Sequence, residues 1–388
     1  MHQIKPSISI LGTRGVPAAH GGFETFAEYL ALFLVGRGWN VTVYCQDDVP
    51  VVTQKISHDS WRGIKRIRIQ VASKGPRGTL EFDWACVCDA AHRDGACLVL
   101  GYNGAIFLPY LRLWGKKIIT NMDGIEWRRA KWGLAVKTWF WINEWIAAWS
   151  SNRLVADHPA IADHLATRRP RRAIATIPYG GTPVTSAPCA PVRAYGLVPE
   201  GYLISVARIE PDNNILTIVA GFSKRRRNAK LFVLGTLIDG VAYHDAIREA
   251  ASDEVIFPGA IYDADTVGAL RFHARAYVHG HTVGGTNPSL VEALAAGNMV
   301  IAHDNVFNRW TAGAAAVFFS DVNTCDAMMT QVLVNDTLVQ RCSVAARQRA
   351  DEAFRWSDIL QAYEREILPF TNMKVHSADY LGRDKATR

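Results

Sequence analysis

The sequence has few of the features that mark secreted, metal-binding or membrane-spanning proteins. Its seven cysteines are an odd number with no C-x-x-C pair, which argues against a disulfide framework and against a zinc site. We interpret all seven as reduced thiols. No apolar run is long enough to span a bilayer, and the N-terminus lacks the charged and apolar regions of a signal peptide. We therefore expect a cytoplasmic, globular protein.

Positive charge is concentrated in the first half of the chain. Residues 1–194 carry 24 Lys and Arg against 14 Asp and Glu, whereas the remainder carries 19 against 22. A basic half predicts an anionic partner. No nucleic-acid-binding module is recognisable, so we expect no nucleic-acid partner and favour an anionic membrane surface or a lipid pyrophosphate.

Tryptophan is abundant in one segment, residues 127–149, which holds six of the twelve in the chain. Trp141, Trp145 and Trp149 are four residues apart and share one face of a predicted helix, and three basic residues precede that helix. Trp beside cations is typical of a bilayer interface, so we expect this segment to contact the inner face of the cell membrane. A helix buried in the core of a large domain is the alternative.

Short β-rich runs alternate with helical runs through the chain, which predicts parallel sheets covered on both faces. A Pro- and Gly-rich stretch from Pro178 separates two such series. We predict an α/β protein of two doubly wound domains, residues 1–185 and 186–355, followed by a helix and tail over 356–388. Ligands of such sheets bind beyond the carboxyl ends of the strands, so the cleft between the domains is the predicted site.

The segment Val283–Gly297, VGGTNPSLVEALAAG, places a glycine-rich turn directly before a short helix. Backbone N–H groups at a helix start bind anions, and we expect those of Gly285, Thr286 and Asn287 to bind a diphosphate. Glu292 is expected about two turns into the helix, roughly 10 Å from its start, where a carboxylate can reach a ribose. An ordinary loop-to-helix junction with a solvated Glu is the alternative.

The N-terminal segment reads as strand, long glycine-rich loop, helix and strand, and it lacks the GxGxxG spacing of a dinucleotide fold. Gly21 and Gly22, just before the helix, allow a bulky ligand close to the backbone. Arg208 follows the predicted strand YLISVA, where a guanidinium can bind a diphosphate. A structural salt bridge between Arg208 and Glu210 is the alternative.

Four motifs, in order, carry a resemblance over nearly the whole chain. GTRGVPAAHGGFET, NMDGIEWRRAKWG, RIEPDNN and GGTNPSLVEAL resemble the retaining GT-B glycosyltransferases of the glycogen-synthase-like superfamily. Within that superfamily they look like bacterial rhamnosyltransferase-type enzymes of surface polysaccharide assembly. The resemblance implies two facing Rossmann-like domains, an N-terminal one for the acceptor and a C-terminal one for a nucleotide sugar. It also implies that the final helix returns to the first domain.

The resemblance further assigns roles to residues at the predicted cleft. Where the superfamily usually has a Lys, this chain has Asn213 and Asn214. Asn214 is expected to bind the donor diphosphate, and Arg208 is expected to carry more of the leaving-group charge. The superfamily Glu eight positions before Glu292 is replaced by Gly284. The expected catalytic groups are Asp123, Glu126 and Arg208, and Asp157 and His20 are expected to bind or orient the acceptor. His20, His279 and His281 could reach the cleft, and His158 follows Asp157 at the carboxyl end of a predicted strand. Asp157 is also a candidate cap for the next helix.

These observations predict a retaining, metal-independent hexosyltransferase without a cofactor. Its donor would be a nucleotide sugar, with dTDP-L-rhamnose favoured by the resemblance, and its acceptor a lipid-pyrophosphate-linked or other saccharide. The residues from Gly259 to Asp263 are expected to support the base. A nucleotide-sugar epimerase or hydrolase of the same fold, and a non-catalytic membrane-associated binding protein, are the alternatives.

Overall fold

Two parallel sheets organise the molecule. The computed structural model describes residues 5–19, 21–47 and 55–371. The strands of the first sheet are β1 (Ser7–Leu11), β2 (Asn40–Asp47), β3 (Ile56–Trp61), β4 (Ile64–Gln70), β5 (Ala96–Leu100), β6 (Ile118–Asn121), β7 (Arg153–Ala156) and β8 (Ile174–Thr176). Their order is β3-β4-β2-β1-β5-β6-β7-β8, and only β3 runs antiparallel to its neighbour.

The helices around the first sheet are α1 (Gly22–Gly36), α2 (Pro76–Ala91), α3 (Leu108–Leu113), α4 (Leu134–Ser150) and α5 (Pro159–Ala166). Buried side chains fill both faces of the sheet, with α1 on one face and α2 to α5 on the other. Strand β3 was not predicted because its residues, ISHDSW, are mostly polar and exposed at the sheet edge.

The second sheet contains β9 (Tyr202–Val206), β10 (Lys230–Leu234), β11 (Val255–Gly259), β12 (Ala276–His279), β13 (Val300–His303) and β14 (Ala316–Phe319). Its order is β11-β10-β9-β12-β13-β14, and all pairs are parallel. Its helices are α6 (Ala190–Ala194), α7 (Ile215–Ser223), α8 (Ala242–Ala250), α9 (Ala264–Phe272), α10 (Pro288–Ala295), α11 (Val306–Ala312), α12 (Val322–Val334) and α13 (Asp336–Ala353). The predicted α/β class with two doubly wound sheets is confirmed.

The last described helix, α14 (Trp356–Ile367), packs on the first sheet although it follows the second in sequence. Ile359, Leu360 and Tyr363 join the apolar cluster that α1 covers, and Glu364 forms an ion pair with Arg37 at 2.7 Å. The chain thus crosses between the two sheets twice.

Candidate active site

The glycine-rich loop between β12 and α10 is the centre of the site. Helix α10 begins at Pro288, and the side chain of Asn287 caps it by accepting a hydrogen bond from the Ser289 N–H at 3.0 Å. The amides of Gly285 and Asn287 have no hydrogen-bond partner among the described residues. Two of the three amides predicted to bind a diphosphate therefore remain available at the start of the helix.

The third amide, that of Thr286, already donates a hydrogen bond to the first domain. The N–H of Thr286 donates to Oδ2 of Asp157 at 2.8 Å, and the Thr286 hydroxyl donates to the Asp157 carbonyl. Gly285 lies so close that an added Cβ would stand 1.9 Å from Oδ1 of Asp157. The carboxyl group of Asp157 therefore contacts the glycine-rich loop of the other domain.

Two further loops of the first domain approach the same loop. A Cβ added to Gly124 would lie 3.1 Å from the Gly284 Cα, and one added to Gly22 would lie 2.9 Å from the Pro288 Cγ. Glycine at these positions permits the close approach of the two domains. Gly21 precedes α1 in extended backbone. His20, the remaining candidate of this loop, lies outside the described residues.

Asp157 does not cap the helix that follows it, so that prediction is wrong. The cap of α5 is His158, whose Nδ1 accepts from the Ala160 N–H at 3.0 Å. His158 is buried against the rings of Phe307 and Trp310, which makes it a structural residue. Burial, and then the negative charge of Asp123, raise the pKa of Asp157 well above its ordinary value.

Asp123 follows β6 and lies at the same edge of the sheet as Asp157. Its backbone is left-handed, with φ of 51°, and its N–H donates to Oδ1 of Asn121 at 2.9 Å. Burial, and then the charge of Glu126, raise the pKa of Asp123 to about 6, although Arg129 and Arg208 oppose the shift. A carboxylate with this pKa can accept a proton from a substrate hydroxyl near neutral pH.

Glu126 is held by partners instead of facing the cleft freely. Its carboxylate forms an ion pair with Arg129 Nε at 2.7 Å, and its N–H donates to the Tyr102 hydroxyl at 2.8 Å. The same hydroxyl donates to the carbonyl of Gly124 at 3.2 Å. The structure therefore gives Glu126 a supporting position, next to the better-placed Asp123.

Arg208 lies just beyond β9 with a side chain that is 73% exposed. Its only ion-pair partner among the described residues is Glu210, at 3.4 Å, and Glu210 also binds Lys131 of the first domain at 3.1 Å. An exposed pair of this length contributes about 0–1 kcal/mol, so the guanidinium can leave it for a ligand. Salt bridging to Glu210 is present but weak.

The two asparagines after Arg208 bind the protein backbone. Asn213 Nδ2 donates to the Arg208 carbonyl at 2.7 Å, and Asn214 Nδ2 donates to the Gly280 carbonyl at 3.0 Å. Asn214 also takes a left-handed backbone, with φ of 52°, at the start of α7. Both residues position the arginine and the glycine-rich loop, and the side-chain N–H that Asn214 gives to Gly280 is not free for a diphosphate.

Glu292 is closer to the start of α10 than predicted. It is the fifth residue of the helix, about 6 Å from Pro288 at 1.5 Å per residue, because the glycine-rich turn continues to Asn287. Its Oε2 lies 2.7 Å from Nη1 of the buried Arg271, and its side chain is 37% exposed. Arg271, which no local pattern marked, therefore orients the Glu292 carboxylate.

A cavity of about 240 Å³ opens in the first domain beside the carboxyl ends of β1 and β5. Its lining includes Arg14, Asp83 and Asn103, with Phe82 and Val99 as apolar wall. Burial raises the pKa of Asp83 to about 7, and no other described residue pairs with its carboxyl group. The mixture of polar groups and an apolar wall suits a sugar ring.

The tryptophan-rich segment forms α4 and the turn before it. Glu144 of this helix is buried and binds Trp127 and Arg168, so one face is core. Trp141 and Trp149 of the same helix are exposed, the latter to 63%. Both the core and the surface interpretations therefore apply to one helix. Within the described ranges, no helix is long and apolar enough to cross a membrane.

The other residues predicted near the cleft have mainly structural surroundings. Asp263 caps α9 by accepting from the Thr266 N–H at 2.8 Å, and Gly259 ends β11 with φ of 88°. His279 and His281 stack at 4.3 Å between ring centroids, next to the glycine-rich loop. Among the residues the structure describes, no three His, Cys, Asp or Glu side chains are grouped to hold a metal ion.

Sequence comparison relates the first half of the chain to a domain of unknown function (DUF1972), which matches residues 5–182. A comparison with curated proteins gives no match.

Solved structures match far more of the chain. Sucrose-phosphate synthase from Thermosynechococcus elongatus is 17% identical, with a TM-score of 0.75, over 94% of this chain and 100% of that one. A UDP-forming trehalose-phosphate synthase from Burkholderia xenovorans, in complex with glucose-6-phosphate, is 14% identical with a TM-score of 0.72 over the same shares. A glycosyltransferase from Rickettsia africae is 14% identical with a TM-score of 0.68, over 94% and 98%. The chain therefore has the GT-B fold, two Rossmann-like domains that face each other.

Proposed function

We propose that this protein is a glycosyltransferase that takes its sugar from a nucleoside-diphosphate donor. The main support is one crevice to which both domains contribute. An exposed arginine and a glycine-rich helix start from one domain lie there opposite carboxyl groups from the other. Arg208 and the amides of Gly285 and Asn287 would bind the diphosphate, and Glu292 would accept hydrogen bonds from the ribose. The nucleotide-sugar enzymes among the solved structures of this fold support the same assignment.

The proposed chemistry is transfer with retention and without a metal ion. Charge builds on the diphosphate as the bond to the sugar breaks, and Arg208 with the loop amides would neutralise it. The acceptor hydroxyl would attack from the face that the diphosphate leaves, and its proton would pass to the departing phosphate. Asp123 would orient that hydroxyl from the first domain. The favoured donor is dTDP-L-rhamnose, on the four motifs that resemble rhamnosyltransferases.

For the acceptor we propose a saccharide of bacterial surface polysaccharide synthesis, carried on a lipid pyrophosphate. The cavity lined by Arg14, Asp83 and Asn103 would receive its terminal sugar ring. The exposed face of α4 would rest on the anionic inner surface of the cell membrane, where Arg169 lies over the Trp149 ring at 5.4 Å. Vesicles of anionic lipid test this point, because Trp149→Ala should reduce sedimentation with them, whereas Val344→Ala, an exposed apolar residue of α13, should not.

Turnover of nucleotide sugars tests the whole proposal. Thermal-shift measurements with UDP-, dTDP-, GDP- and ADP-sugars identify the donor, because a bound ligand stabilises the folded protein. Release of the nucleoside diphosphate is then measured with a lipid-linked acceptor in the wild type, in Arg208→Ala and in Glu292→Ala. We expect a loss of at least 100-fold in Arg208→Ala and a smaller loss in Glu292→Ala.

The matched control is Arg225→Ala, because Arg225 is an exposed, carboxylate-paired arginine beyond the far end of α7. Its turnover should equal that of the wild type. Undiminished turnover in both Arg208→Ala and Glu292→Ala would refute the proposal. Rapid sugar release without any acceptor would instead identify a hydrolase.

A further inference from the structure

Three aromatic rings follow one another along the face of β12 that leads to the crevice. Tyr277, His279 and His281 are spaced by two residues, so their side chains share one side of the extended chain. The ring centroids of Tyr277 and His279 are 5.8 Å apart, and those of His279 and His281 are 4.3 Å apart with planes inclined by only 9°. Tyr277 and His279 are fully buried, whereas His281 is the outermost ring of the column.

The backbone of His281 is fixed from two sides. Its carbonyl oxygen accepts a hydrogen bond from Asn305 Nδ2 at 2.9 Å and a second from Asn308 Nδ2 at 2.9 Å. The preceding residue must be glycine, because a Cβ added to Gly280 would lie 2.2 Å from the Asn213 carbonyl oxygen. Stacking on His279 sets the plane of the ring. A side chain this tightly placed, at the entrance of the glycine-rich loop, is preorganised for a ligand.

The ring of His281 has no hydrogen-bond partner of its own among the described residues. Nδ1 is buried and unpaired, while Nε2 is not enclosed. Burial, and then the positive charges of Arg129 and Arg208, lower the pKa of His281 to about 3. The imidazole is therefore neutral at neutral pH. A neutral imidazole carries its one proton on either nitrogen, and with the proton on Nε2 the ring offers a ligand a neutral N–H in the field of the two guanidinium groups.

We propose that His281 is a donor-binding residue, whose Nε2–H donates a hydrogen bond to the sugar-proximal phosphate of the nucleoside diphosphate. The inference rests on the proposed function. The arginines of both domains that depress its pKa provide the positive field in which an anion would bind. A neutral N–H of His281 adds a directed hydrogen bond to the anion and does not repel the side chains of Arg129 and Arg208, as a charged imidazolium would. The nucleoside monophosphate lacks this phosphate group, so it should not use His281.

Calorimetric titrations with a nucleoside diphosphate and the matching monophosphate test the assignment. His281→Phe keeps a ring of similar size for the stack on His279 but removes the N–H. His281→Gln restores an N–H donor without the ring. We expect His281→Phe to lose at least about tenfold in affinity for the diphosphate and less than about twofold for the monophosphate. His281→Gln should recover part of the diphosphate affinity.

His303→Phe is the matched control, because His303 belongs to the same histidine cluster but responds electrostatically to Asp304 and not to the arginines. It should leave the ratio of the two affinities unchanged. Equal losses for both nucleotides in His281→Phe, or no loss for the diphosphate, would overturn the assignment while the proposed function stands. If the wild type binds no nucleoside diphosphate, the proposed function fails and the assignment fails with it.

Discussion

Replacing Asp123 with Asn should stabilise the protein while it strongly lowers turnover. The pKa of this carboxyl is about 6 in the folded protein, against an ordinary 3.8. Above pH 6 the folded state must therefore hold a charge that the unfolded chain solvates better. The difference of about 2 units corresponds to at most about 3 kcal/mol at pH 7.5. Asn removes the charge and tolerates the left-handed backbone at this position.

The stabilisation of Asp123→Asn should increase with pH. Because the folded-state pKa is raised, the penalty is absent well below pH 4 and grows as the pH rises toward 6. The advantage of the Asn variant should shrink to about 1 kcal/mol at pH 4.5. At pH 7.5 we expect the midpoint of thermal unfolding to rise by about 5–10 °C, and turnover to fall by about 100-fold or more.

Scanning calorimetry at the two pH values, together with a turnover assay, measures both effects. Asp163→Asn serves as the control, since Asp163 is an exposed carboxylate on α5 and its replacement should change stability by less than about 0.5 kcal/mol. A melting temperature that falls in Asp123→Asn, or that rises equally at both pH values, would refute the raised pKa of Asp123 as the cause.

Three further substitutions probe the glycine-rich loop and helix α10. Asp157→Ala should free the Thr286 amide for the ligand, so calorimetry should find nucleoside-diphosphate affinity increased by about threefold or more, and a decrease would contradict this. Gly285→Ala should push the loop away from the Asp157 carboxyl group, which should lower the melting temperature and weaken nucleotide binding. Unchanged values would show that the loop moves aside without loss of stability or affinity. Glu292→Gln should leave the buried Arg271 without its charge partner, lowering the unfolding free energy by about 1 kcal/mol in denaturant titration, and an unchanged value would mean that the pair contributes nothing.

The sheets were predictable because their strands are buried on both faces. Such strands are continuous apolar runs, so β5 (ACLVL) and β10 (KLFVL) stand out from the helices around them. Edge strands give a weaker signal. Strand β3 has no buried residues that alternate with its exposed ones, and β14 has only four residues. Neither strand was therefore predicted from the local sequence pattern.

The site was predictable only as far as each loop could be interpreted alone. Glycine before a helix, and an arginine after a strand, are local patterns with a physical meaning. The contact between Asp157 and Thr286 joins residues 129 apart in sequence, and only the docking of the two domains creates it. The pair of Arg271 and Glu292 depends likewise on how α9 packs beside α10. Partners of this kind follow from tertiary structure, which a single sequence does not display.

We propose that arginine and backbone amides, without a metal ion, bind a nucleoside diphosphate in this crevice. Calorimetric titration of UDP, dTDP, GDP and ADP into the wild type and Arg208→Ala, with EDTA present throughout, tests it most directly. We predict that at least one of the four binds the wild type with micromolar affinity in EDTA and binds Arg208→Ala at least tenfold more weakly. Failure of all four to bind the wild type, or equal binding to both proteins, would contradict the claim.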